Sequence, residues 1–92
     1  MDYLDYIELG LDGEGPLKVI LCGEIHNDGS ERIGVVSLVY ATLDRSKAEE
    51  KIKSYIKENT ENYYMVYSVP FDIDLSALEH YPSIAVRRED LD

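Results

Sequence analysis

The chain has 92 residues, 19 of them acidic and nine basic, for a formal net charge of −10. Such a surface repels nucleic acid and anionic membrane, which excludes charge-driven binding to either and leaves basic proteins as its natural partners. The 45% apolar content is that of a folded protein with room for one core, so the charge does not signal disorder.

Residues 3–11 place Ile7, Leu9 and Leu11 at alternate positions, which predicts a strand. Two glycines and Pro16 break the chain at 12–16. Residues 17–25 alternate again, with Leu17, Val19, Leu21 and Ile25 on one face and Lys18, Ile20, Cys22 and Glu24 on the other. The segment from His26 to Glu31 holds Asp-Gly between apolar runs, the signature of a hairpin turn. Residues 32–43 are apolar on both faces and rich in β-branched side chains, which predicts a central strand covered on both sides.

The period then changes. Ser46 and Glu49 match a capping box, with Asp44 as a rival cap, and Ala48, Ile52, Tyr55 and Ile56 form an apolar stripe that predicts a helix over 46–58 ending near Asn59. Glu49, Lys53 and Lys57 form an i, i+4 ladder on its solvent side. Residues 62–69 predict another strand, closed by Pro70. Asp74 is placed to cap a second, short helix over about 74–81, with Pro82 after it. Residues 83–88 predict a last edge strand, and the tail 89–92 frays. The expected fold is therefore one α+β domain over 1–92, ordered β-β-β-α-β-α-β, with a mainly antiparallel sheet packed on the 46–58 helix.

The sharpest chemical candidate is Cys22, Glu24 and His26, which share one strand face and could bind zinc or form a nucleophile, base and acid. Nothing at CxxC or HExxH spacing supports a metal, and a buried structural Cys accounts for the residue more simply. The loop Gly10–Pro16 is acidic and leads into a strand, so it lacks the cation and helix start of a phosphate cradle. Asp28, Ser30 and Glu31 lack the ligand order of an EF-hand. No cofactor, metal or catalytic residue is assigned.

The lysines and arginines at 45, 47, 51, 53 and 57 are interleaved with acids and read as a solvated helix face. Tyr63, Tyr64 and Tyr67, followed by Asp72 and Asp74, form the candidate interaction surface, since Tyr is enriched where proteins meet. One cysteine closes no internal disulfide, residues 1–5 lack the order of a secretion signal, and Val35–Leu43 is too short to span a bilayer. These features predict a soluble, cytoplasmic protein, with the composition of small acidic bacterial or phage proteins.

The function expected is a non-enzymatic interaction or regulatory module. Its partner is another protein, of basic character, with direct nucleic-acid and membrane binding excluded and a homo-oligomer allowed. Two alternatives stand beside it. The first is a nucleic-acid mimic that occupies the cleft of a basic protein, using Asp2/Asp5/Glu8, Asp12/Glu14 and Asp72/Asp74. The second is a small enzyme or metal binder built on Cys22, Glu24 and His26.

Overall fold

A computed structural model describes residues 2–78 and shows a small α+β fold, with two helices and a three-stranded antiparallel sheet. In chain order the elements are α1 (Tyr3–Leu11), β1 (Leu17–Asp28), β2 (Glu31–Thr42), α2 (Arg45–Glu58) and β3 (Tyr63–Val69), then a single 3-10 turn at Leu75–Ala77. The sheet order is β2-β1-β3. Both outer strands run antiparallel to β1, so β2 and β3 are parallel to each other, and α2 carries the chain across β1 between them.

The first element corrects the strand expected over 3–11. Asp2 accepts from the Asp5 amide at 3.1 Å while the Asp5 carboxylate accepts from the Asp2 amide at 3.1 Å, a capping box made of two aspartates. Ile7 and Leu11 are buried and Tyr3 packs against the same core, so the stripe that matters has a spacing of four. Leu9, which completed the alternating pattern, is exposed.

β2 corrects the covered central strand. It is an outer strand among the described residues, and β1 takes the centre. Ile20 pairs with Tyr40 but Leu21 pairs with Leu38, so Val39 is an extra residue that breaks the register. Residues directly opposite share a face. Tyr40 therefore lies on the face of Ile20, and beyond the bulge the parity reverses, with Ser37, Val35 and Ile33 on that face and Leu38 and Val36 on the other.

α2 matches its expected stripe, with Ala48 and Ile52 buried and Tyr55 and Ile56 packed against the core. Its cap is Asp44, which accepts from the Ser46 and Lys47 amides, in place of the Ser46 box. Of the helix expected over 74–81, the described part is the single 3-10 turn Leu75–Ala77 capped by Asp74, and residues 79–81 and the tail 89–92 lie outside the described residues. The strand expected over 83–88 lies outside the described residues.

The core joins Ile7 and Leu11 of α1, Ala48 and Ile52 of α2, Ile20 and Cys22 of β1, and Tyr64 and Val66 of β3. Both helices thus cover one face of the sheet. Tyr64 stacks on Tyr55 with ring centroids 5.1 Å apart and planes 7° from parallel, an arrangement worth about 1 kcal/mol beyond its burial.

α1 also closes the outer edge of β3. The Tyr3 hydroxyl accepts from the Tyr64 amide at 2.9 Å and donates to the Tyr64 carbonyl, filling backbone groups that point away from β1. Seven residues further along the helix, Gly10 lies so close to Val66 that a Cβ there would collide with the Val66 carbonyl. Gly15 meets the Val69 backbone in the same way. Lys18 clamps the connecting loop from beneath, although only 8% exposed. Its ammonium donates to Gly13 O, Gly15 O and Ser68 Oγ at 3.2, 3.0 and 2.8 Å, so all three protons have acceptors.

Candidate interaction surface

The pairing lengths differ on the two sides of β1. β3 covers only Leu17–Gly23, whereas the β1–β2 ladder continues to Asp28 opposite Glu31. Residues 24–28 and 31–35 therefore project as a two-stranded arm, about 17 Å long at the rise of a β-strand. Its tip is a two-residue turn at Gly29 and Ser30, and Gly29 takes φ +64°, which glycine adopts without strain. The expected hairpin is present with a tighter turn, since β1 runs on to Asp28 and β2 starts at Glu31, leaving two residues of the six from His26 to Glu31 in the turn.

The arm carries apolar side chains into solvent on both faces. Ile33 and Val35 lie on the face that holds the helices elsewhere and Ile25 on the other, with Val36 at the base of the arm on that second face, all exposed. Leu38, just inside the arm, is 61% exposed. An isolated two-stranded ribbon is marginally stable in water, and this one has neither a third strand nor a helix against it among the described residues.

Cys22, Glu24 and His26 lie where β1 leaves the core for the arm, and the structure does bring them together. Glu24 bridges the other two, with Oε2 2.7 Å from His26 Nε2 and Oε1 accepting from the Cys22 thiol at 3.4 Å. The order is wrong for nucleophile activation, since the carboxylate, not the imidazole, touches the thiol. Cys22 is 1% exposed, and burial followed by the Glu24 contact pushes its pKa up, away from thiolate. The bond from His26 and then that from Cys22 hold the Glu24 carboxyl below its ordinary range. Among the described residues no group of His, Cys, Asp and Glu has a metal-binding arrangement.

The tyrosine surface separates. Tyr63 and Tyr67 lie on the sheet face away from the helices, Tyr63 exposed and in edge contact with Tyr3 at 5.3 Å. Tyr64 points the other way and is 3% exposed, so it belongs to the core and offers no ring to a partner. Asp72 and Asp74 follow the far end of β3, a strand length from Tyr63. Asp72 takes φ +54°, and the Asp74 carboxylate caps the 3-10 turn, where the Ser76 hydroxyl and amide lower its pKa.

The acidic run of α1 is partly neutralised. Arg45 at the start of α2 reaches Asp12 at 2.7 Å, Glu49 at 2.9 Å and Glu8 at 3.3 Å, tying the two helices together. A polar hollow in the α2–β3 connection is lined by Glu58, Asn59, Thr60, Glu61 and Asn62, a single turn of chain with no second element contributing. No helix among the described residues is long and apolar enough to cross a membrane. Sequence reasoning missed the arm because it read β2 as covered on both sides. The signal available was the length mismatch between residues 32–43 and 62–69.

No protein-family model, curated protein or solved structure matches the chain.

Proposed function

We propose that the chain is a non-enzymatic protein-interaction module that engages a basic protein, with the β1–β2 arm as its docking element. The observation that carries this reading is the arm itself, a ribbon with Ile25, Ile33 and Val35 exposed on its two faces, Val36 exposed at its base, and no covering element among the described residues. Clusters of exposed apolar side chains of this kind mark interaction sites. The net charge of −10 favours a basic partner and speeds encounter with it.

Mimicry of nucleic acid draws less support. Of the α1 carboxylates, Asp2 and Asp5 are held in the capping box and Glu8 and Asp12 face Arg45, so they present no free row of phosphate-like charge. Chemistry at Cys22 draws less support still, given the burial and raised pKa of its thiol.

The test is affinity capture by the tagged chain from its native lysate, eluted with stepped salt, in parallel with an Ile25→Asp variant whose folding is checked by circular dichroism. A basic protein held by the natural chain, lost from the folded variant and released by moderate salt is the expected result. Equal capture by both chains overturns the arm as the docking element.

A further inference from the structure

The sheet has two outer edges, and they are treated differently. That of β3 is closed by Tyr3 and by the approach of Gly10, as described above. That of β2 carries one of the usual protections against pairing, the bulge at Val39, and lacks the others. From Ile33 to Leu43 there is no charged residue and no proline, in a chain where three residues in ten are charged. Among the described residues β2 pairs only with β1.

We propose that β2 is the self-association edge of this protein, and that a second copy of the chain pairs with it antiparallel about a two-fold axis at Val36 to form a continuous six-stranded sheet. The inference rests on the interaction-module reading and supplies that module's first partner. Three observations select a second copy over a foreign strand.

The first is steric. Side chains opposite one another must share a face, so the axis must pass through a residue and not between two. With the axis at Val36, Leu38 falls opposite Gly34 of the second copy, and Gly34 leaves the gap that the 61%-exposed Leu38 side chain needs. Symmetry makes the same fit twice. On the helix-bearing face Val35 then meets Ser37 in matched parity, and Ile33 comes level with the bulge residue Val39, which packs against the core on that side.

The second is electrostatic. Two chains of net charge −10 repel, and their contact must fall where charge is absent, which is the stretch Ile33–Leu43. At the ends of the pairing the signs are complementary. Glu31, on the helix-bearing face, arrives level with Tyr40 and Ala41 of the second copy. There the Lys51 ammonium lies over Tyr40 and Tyr55, 5.7 and 5.1 Å from the ring centroids.

The third is stability. Pairing across β2 gives each projecting arm a third strand, the minimum for a ribbon that stands on its own. A single strand pair lies at the small end of interface size, so a dissociation constant on the order of 10–100 µM is expected.

The experiment is sedimentation equilibrium of the full chain over a concentration series up to about 1 mM, where a contact of this size must register. The natural chain is expected to dimerise, and more tightly at about 0.5 M salt than at low salt, because screening relieves the repulsion between like-charged copies. Val36→Lys and Val36→Glu each place two like charges face to face on the axis and should be folded monomers. Mixing them in equal amounts should restore a dimer of one copy of each. A natural chain that stays monomeric at the highest concentration, or a Val36→Lys chain that dimerises like the natural one, overturns the proposal. The salt response keeps this result separate from partner capture, since binding of a basic protein weakens with salt while self-association strengthens. A natural chain that is monomeric yet loses its captured partner on Val36→Lys substitution also overturns self-association and leaves the interaction reading standing.

Discussion

The same strand, β1, lives in two environments. Over Leu17–Gly23 it has a strand on each side and helices above, and its inward residues Ile20 and Cys22 are sealed. Over residues 24–28 it has one neighbour among the described residues, and the apolar side chains of the hairpin face water. The difference shows that apolar composition alone does not mark a core. Burial needs a second layer, and the two helices reach only half the ladder.

Matched truncations break or sharpen this comparison most directly. Ile52→Ala empties a fully buried site and should cost about 2–5 kcal/mol, read as a lower denaturant midpoint. Ile33→Ala removes the same atoms from the arm and should stay within about 0.5 kcal/mol of the natural chain in dilute solution. Equal effects would mean that the arm is packed against something.

The second contrast is between the two sheet edges. Tyr3→Phe leaves the Tyr64 amide and carbonyl without their hydroxyl, and a loss of about 1–3 kcal/mol is expected. The variant should also expose the β3 edge, giving higher oligomers by light scattering than the dimer proposed for the natural chain.

Acid and alkali should attack different halves. Burial holds the Cys22 thiol and the Tyr3 and Tyr64 phenols above their ordinary pKa values, so the unfolded chain ionises first as pH rises. The stability linked to them is complete below about pH 8.5 and is lost as pH climbs through their raised folded values. Glu24 behaves in the opposite sense. Its hydrogen bonds to His26 and Cys22 lower its pKa, so its contribution is present above about pH 4.3 and is lost as pH falls through the lowered value. Amide exchange followed across pH should show residues 24–35 opening first in acid and the helix-covered half in alkali.

The smallest effect expected is that of Arg45→Met. The residue joins Glu8, Asp12 and Glu49 across the two helices, and its partners hold its pKa up, but the network is open to solvent. A slight fall in melting temperature, shrinking as salt is added, is the expected outcome.

Legibility in the sequence followed locality. α2, the hairpin and β3 were readable because the period of Ala48, Ile52, Tyr55 and Ile56, the Asp28–Gly29 turn signal and the break at Pro70 all act within a few residues. α1 was misread because Ile7 and Leu11 satisfy a period of two through Leu9 as well as a period of four through Tyr3. The Asp2–Asp5 box breaks the tie, and it lacks the Ser, Thr or Glu that make such a signal conspicuous. Of the candidate site residues, the sequence correctly put Cys22, Glu24 and His26 on one strand face. It could not show that the thiol is sealed beneath Tyr64 and the core while the imidazole stays in solvent.

By itself, then, the amino-acid order determined charge, helix caps, turn position and strand alternation, because each depends on neighbours along the chain. Tertiary structure alone decided which strand became central, which edge was closed and how far the helices reach along the sheet. A strand's place is set by what packs beside it, and in β2 one extra residue at Val39 reverses which face each side chain meets.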